Sequence, residues 1–176
     1  EIQTPEFGAG VDDLARALFV RGCVFVEEMG IPYTQEFDGG EQSAAHVLGT
    51  AGGEPVAAAR VRHLDGAARI ERLCVRKSFR GQGLGDELLS FTLKLIAELG
   101  AERCSILAEG MLVQWFRNHG FELSGEFKRP DGSECYEMTR ASVAVEPAAK
   151  MPAPQKPVYT APEKKKKAEI TEPMRQ

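Results

Sequence analysis

The stretch "RLCVRKSFRGQGLGDELLSFTLKL", residues Arg72 to Leu95, decides the fold. It opens as an apolar strand, crosses a turn with glycine at three alternate positions directly behind Arg80, and runs into a helix. Gly81, Gly83 and Gly85 remove every Cβ that would keep a visitor away from the main chain. The first turn of the following helix exposes amides that have no helical partner, and with the helix dipole these form an anion site. Arg80 adds a forked, permanently charged donor that matches phosphate oxygens.

Working outward, Leu84, Leu88, Phe91, Leu95 and Leu99 recur at helical spacing, with Leu89, Thr92 and Ile96 widening the apolar face, and Gly100 ends the run. Upstream, "AAHVLGTA" and "EPVAAARVRHL" are separated by Gly52-Gly53, and Asp65-Gly66 turns the chain into "ARIERLCVR". These three segments read as an antiparallel meander. Val11 to Met29 has the apolar spacing of one amphipathic helix, stopped by Gly30 and Pro32. Downstream, "RCSILA" is a short buried strand and "MLVQWFRNH" a short helix. "FELSGEFKR" and "ECYEMTR" form a final hairpin turned at Pro130-Asp131-Gly132. With Ile2 to Phe7 as an edge strand, the order is β-α-β-β-β-α-β-α-β-β. That order predicts a mixed α/β (α+β) sheet of six to seven strands, mostly antiparallel, with helices on both faces.

The chain has 176 residues, 43% of them hydrophobic, which is room for one domain with a core. That domain is expected over residues 1–141. The segment 142–176, rich in Pro, Ala, Lys and Glu and without apolar period, is expected to be a disordered tail. Residues 1–141 hold 15 Lys and Arg against 22 Asp and Glu, a balance of −7, whereas the tail carries +3. An acidic domain disfavours a nucleic-acid groove and suits a cationic partner or an amine. The run Lys164 to Lys167 is either a solvated linker or tail, or a contact for an acidic surface or nucleic acid. The longest apolar runs are broken by arginine well short of the ~20 residues a bilayer crossing needs. No basic-then-apolar leader opens the chain, which begins at Glu1 and not at methionine. The expectation is a cytoplasmic protein away from membranes.

Cys23, Cys74, Cys104 and Cys135 stand singly in apolar segments, with no spacing that forms a tetrahedral metal site. They read as small buried hydrophobes, and no metal is expected.

Two phosphate loops are excluded by spacing. A P-loop needs Gly-Lys-Ser/Thr where this chain has Gly85-Asp86-Glu87, and a Rossmann fingerprint needs G-x-G-x-x-G early in a parallel unit. The remaining pattern, R-x-x-G-x-G after "LCV" and before an amphipathic helix, resembles the acetyl-coenzyme A signature of the GNAT N-acetyltransferases. "VFVEEMGIP", "EFD", "AAHVLG" and "AEGMLVQWFRNHGFE" occur in the order of the ElaA-like branch of that superfamily, over roughly residues 7–140.

The resemblance implies a V-shaped wedge between the strand before the glycine loop and the strand after the helix. Arg80, Gly81, Gln82, Gly83, Leu84 and Gly85 would hold the pyrophosphate of acetyl-CoA. Leu73, Cys74 and Val75 would pair with its pantetheine arm like an added strand, and an amide of Cys74 or Val75 would polarise the thioester. Glu71 would take the proton of a primary amine, small-molecule or protein-borne, that attacks in a ternary complex; otherwise it is a strand carboxylate paired with Arg69 or Arg60.

Many members place a tyrosine facing the leaving sulfur where this chain has Phe116. Either the thiolate leaves unaided, or Tyr136 or His119 substitutes, or the chain binds coenzyme A without turnover. Glu28, Glu36 and Asp38 are the candidate seat for a cationic amine, or else solvated loop carboxylates. The branch often has Gln at the positions of Met29 and Glu109. His46 reads as a strand histidine satisfied by a neighbour, or else a base, and Trp115 and Phe116 as core, or else as wall of the cofactor wedge. An acyl-homoserine-lactone synthase and a coenzyme A-sensing module are the competing functions. The final hairpin offers an edge for a homodimer.

Overall fold

The computed structural model describes residues 2–3, 11–64, 66–129 and 132–142. The expected tail from residue 143, most of the expected Ile2 to Phe7 strand, and Asp65, Pro130 and Asp131 at two of the turns lie outside the described residues.

Seven strands form one sheet in the order β1-β2-β3-β4-β5-β7-β6. They are β1 (Ile2–Gln3), β2 (Ala45–Ala51), β3 (Glu54–Leu64), β4 (Ala67–Val75), β5 (Arg103–Glu109), β6 (Glu122–Lys128) and β7 (Glu134–Ala141). All neighbours are antiparallel except β4 and β5. The meander β2-β3-β4 is the one the turn residues predict.

Helices cover both faces. The first is α1 (Val11–Arg21), followed by a π-helical segment Gly22–Glu28 and a short α2 (Tyr33–Glu36). The apolar spacing from Val11 to Met29 thus continues through a change of helical type rather than as one α-helix. α1 sets Ala17 and Val20 against Leu48, Ala58 and Cys74. On the other face, α3 (Leu84–Glu98) sets Leu88 against Val47, Ala57 and Ala59. Its Leu89 and Ile96 pack with Ile70, Ile106 and Met138. Alternation along β3 explains the split: Ala58 points to α1, Ala57 and Ala59 to α3. The run of alanines is fully buried, so both helices approach the backbone of β3 closely.

The feature that positions a site is where β4 and β5 part. They pair only from Ala67↔Arg103 to Ile70↔Ile106. Beyond that point β4 continues to Val75 and β5 to Glu109 with no pairing between them. A wedge therefore opens at the middle of the sheet. Its β4 arm is bent by a bulge between Ala58 and Arg60 of β3, where Arg72 takes φ 54°. Among the described residues Arg72 is the one non-glycine with positive φ, a conformation that costs ~1–2 kcal/mol.

α4 (Val113–Asn118) closes the α3 face near β5. Phe116 is 2% exposed and meets Phe121 edge-on at 5.4 Å. No helix among the described residues is long and apolar enough to cross a membrane.

Candidate active site

The glycine loop lies where β4 ends. Gly81 and Gly83 have φ of 77° and 81°, a region only glycine enters freely, and an added Cβ at either would meet nothing within 4 Å. Gly85 differs. It sits inside α3 without positive φ, and an added Cβ would stand 3.7 Å from the nearest atom, Cζ2 of Trp115. The fold does not demand glycine there, although glycine in a helix is ~1 kcal/mol worse than alanine. α3 also begins without a side-chain cap: Gly83 is the capping residue and bonds nothing by side chain. A helix start usually recruits Ser, Thr, Asp or Asn to satisfy its amides. Here the amides of Asp86 and Glu87 bond the Gly83 carbonyl, at 3.0 and 3.2 Å, and those of Leu84 and Gly85 have no side-chain cap beside a strip of backbone without side chains.

Arg80 stands at the entrance to this cradle. Its Nε donates to the Val75 carbonyl at 2.9 Å. Its two terminal nitrogens grip Glu28 from the end of the π-helical segment, Nη1 to Oε1 and Nη2 to Oε2, both at 2.7 Å. That hydrogen bonding holds the Glu28 carboxyl below the usual carboxylate range. Glu28, expected to group with Glu36 and Asp38 as an amine seat, is paired with Arg80 beside the glycine loop.

The other two acidic candidates are also engaged. Glu36 is fully buried, with Oε1 2.7 Å from Arg21 Nε and Oε2 2.7 Å from Arg72 Nε. Burial pushes its carboxyl up against the pull of Arg21. Asp38 is gripped by both terminal nitrogens of Arg60 at 2.7 and 2.8 Å, which holds its carboxyl well below the usual range. Glu41 joins Arg21 at 3.0 Å and Arg60 at 2.9 Å. The acidic cluster expected to receive a cation is a set of ion pairs with the chain's own arginines, two of which, Arg21 and Arg60, are buried. An opposed charge in a low-dielectric setting is the condition on which such arginines are kept inside. Arg21 also stacks 5.3 Å above the Phe37 ring.

Glu71 lies on the same face. It accepts from Arg60 Nε at 3.0 Å and pairs with Arg62 through its other oxygen. Of the two expected partners, Arg60 is present, whereas Arg69 turns to Glu137 at 3.3 Å. Tyr136 is opposite Ala108 on β7, on the α3 face, and its hydroxyl donates to Glu134 at 3.1 Å. That bond raises the phenol above its ordinary value. The structure thus places the two expected catalytic side chains on opposite faces of the sheet, not together.

Leu73 and Val75 pack towards α3 and Cys74 towards α1. Arg76 N donates to Val56 O, so alternation turns the amide of paired Cys74 towards β3. The Val75 polar groups face the other way, as its carbonyl bond to Arg80 shows. Of the two amides expected to polarise a carbonyl, Val75 is the one turned towards the wedge. Burial pushes the Cys74 thiol up to about 12 and the Cys104 thiol to about 11, which leaves them as inert packing groups. His46 is 3% exposed; its Nε2 faces the Glu41 carbonyl at 2.9 Å, whereas its Nδ1 is buried without a hydrogen-bond partner, so the expected strand histidine is satisfied at one nitrogen only.

One cluster escaped the sequence reading. Trp115 Nε1 donates to Asp86 Oδ1 at 3.0 Å, and His119 Nε2 lies 3.0 Å from the same oxygen. The bonds tie α4 to the first turn of α3 and hold the indole beside Gly85. Trp115 is therefore a wall of the cradle as well as core. Among the described residues no group of three or more His, Cys, Asp or Glu is placed to hold a metal ion.

A family model, "Acetyltransferase (GNAT) domain", matches residues 25–142. An uncharacterized N-acetyltransferase of Bacillus subtilis, YjcF, is 34% identical over 115 residues, covering 65% of this chain and 82% of the relative. The crystal structure of Escherichia coli ElaA superposes with a TM-score of 0.70 at 26% identity, covering 80% of this chain and 98% of that one. An acetyltransferase structure from Elizabethkingia anophelis with acetyl-CoA bound superposes at 0.62 with 14% identity, over 80% of this chain and 97% of that one.

Proposed function

The chain belongs to the GNAT acetyltransferase family, and from that premise we propose that it moves an acetyl group from acetyl-CoA to a primary amine. The observation that carries the coenzyme is Gly85, a glycine the backbone does not require, next to uncapped amides and an arginine. A fold neighbour with acetyl-CoA bound supports it.

The residues present fit such a molecule. Amides of Gly81 to Gly85 face a pyrophosphate, the open edge of β4 from Leu73 to Val75 receives the pantetheine amides, and the wedge admits a thioester between the two arms. Acetyl-CoA supplies an activated acyl carbon and a thiolate leaving group. The Val75 amide donates towards the charge that develops on the acyl oxygen. The α1 face of the wedge, with Glu71, Arg62 and Arg69, admits the amine. Both Glu71 oxygens are committed to guanidiniums, so taking the amine proton requires one ion pair to open. Phe116 has no proton to give the thiolate, Tyr136 directs its own to Glu134, and His119 is tied to Asp86. The thiolate therefore leaves without a side-chain acid, as the modest acidity of a thiol allows.

That same absence favours the second reading, a module that binds coenzyme A without turnover. Two measurements separate them. Acetyl-CoA in excess raises the melting temperature of the wild type, and Gly83→Glu, which places a carboxylate in the cradle, abolishes the rise. Thiol release across a panel of polyamines, amino sugars and peptides then shows turnover with at least one amine. A melting rise that survives Gly83→Glu overturns the cradle. A rise with no thiol release from any amine overturns the enzyme in favour of the module.

A further inference from the structure

Arg80 presents to solvent a fork that two oxygens of a phosphate would fill, and in this structure the chain fills it with its own carboxylate. The grip is symmetrical, one Glu28 oxygen on each terminal nitrogen at 2.7 Å. Carboxylate and phosphate compete for this arrangement because each offers two oxygens in one plane to the same pair of donors. The pair is also exchangeable: the side chains are 44% and 31% exposed, so a dissolved anion reaches it without unpacking the core. Arg80 stays aimed when Glu28 leaves, since its Nε is held by the Val75 carbonyl. A second cation, Lys77, already acts on Glu28 and is available to it afterwards.

Resting on the coenzyme reading above, we propose that Glu28 is an internal competitor for the pyrophosphate seat and sets the affinity of the chain for coenzyme A. Pyrophosphate enters, takes the Arg80 fork, and releases Glu28. The competition also joins the two halves of the site. Glu28 ends the π-helical segment Gly22–Glu28, the stretch that leads into the arginine-paired Glu36 and Asp38. Such irregular helical turns recur at functional positions. While Glu28 is latched, that segment is tied across to the cofactor loop, and coenzyme binding unties it.

The alternative is a brace, in which Glu28 only stiffens the loop. The two predict opposite signs. A brace removed loosens the cradle and weakens coenzyme A; a competitor removed strengthens it. Isothermal titration of coenzyme A into wild type, Glu28→Gln, Glu28→Ala, Arg80→Gln and the Glu28→Gln/Arg80→Gln double variant decides between them, with melting temperatures confirming folding. The expected result is a Kd about two- to five-fold tighter for both Glu28 variants, the range of a surface ion pair. The gain disappears in the double variant relative to Arg80→Gln alone. Equal or weaker binding by both Glu28 variants overturns the assignment while leaving the coenzyme reading intact. A gain that persists without Arg80 also overturns it, because general charge relief then explains the effect. No binding by wild type or any variant overturns the coenzyme reading itself.

Discussion

Changing Glu71→Gln separates a proton acceptor from a carboxylate that holds arginines. The variant keeps shape and one carbonyl oxygen but loses the charge, and its amide turns a donor towards one of two guanidiniums. Arg60, 1% exposed, would lose an acceptor at 3.0 Å but keep Asp38 at 2.7 and 2.8 Å and Glu41 at 2.9 Å. Arg62 is 36% exposed and can turn to water. Removing the last partner of a buried charge costs ~3–5 kcal/mol. With the remaining partners in place, the cost falls to that of a lost charge-assisted bond, about 2 kcal/mol. For a chain of this size that lowers the melting temperature by roughly 4–8 °C.

Activity is then compared well below the variant's transition. Loss of a general base lowers kcat by ~10²–10⁴. Loss of a group that only positions Arg60 and Arg62 lowers it by less than about ten-fold, by analogy with other effects of ~1 kcal/mol on a barrier. The expected outcome is the melting loss with the smaller rate loss. An unchanged melting temperature refutes the ion-pair reasoning. A fall of a hundred-fold or more in a folded variant refutes the positioning role and gives Glu71 the proton.

Phe116→Tyr is expected to lower the melting temperature by a few degrees and leave thiol release within two-fold, because the ring is 2% exposed and a new hydroxyl would be buried without a partner. A ten-fold rate gain at unchanged stability would show instead that the ring edge opens on the wedge. Acid stability follows Asp38. Its folded carboxyl titrates below its unfolded value, near 3.9, so the unfolded chain binds more protons at low pH. The contribution is complete above that value and is lost progressively as pH falls below it. Asp38→Asn should flatten the decline of melting temperature below about pH 4; superimposable acid limbs for the two proteins would count against it.

The half of the site proposed to meet a coenzyme was legible because it is written in backbone. Gly81, Gly83 and Gly85 are visible in the sequence as missing side chains, and their meaning depends on neighbours within a few positions. The parallel placement of β5 beside β4 suits the same strand-loop-helix segment, whereas the wedge itself was expected from the family resemblance alone. The break after Ile70 and the bulge at Arg72 left no comparable mark. Arginine at a positive φ is held there by Gln35 and Glu36, 37 and 36 positions away, and no local spacing encodes that.

The ion pairing of the candidate acceptor residues was not legible for a related reason. Glu28, Glu36 and Asp38 lie close in sequence and look like an acidic patch, and the resemblance of like charges at short range suggested a seat for a cation. Their partners come from elsewhere: Arg80 for Glu28, Arg21 and Arg72 for Glu36, Arg60 for Asp38. The signal that could have corrected this was present in the arginines. Arg21 interrupts the apolar face of α1, and Arg60 follows three buried alanines of β3. An arginine in such a place requires an anion, because its charge cannot be shed by deprotonation at any ordinary pH. Counting buried cations first assigns Glu36, Asp38 and Glu41 to them, so these three do not stand as free carboxylates. On the proposed function, recognition of the acceptor would depend on its shape and hydrogen bonding across the wedge more than on its charge, so a panel of amines should be ranked by structure, with binding that changes little between 50 and 200 mM salt as the check on that inference.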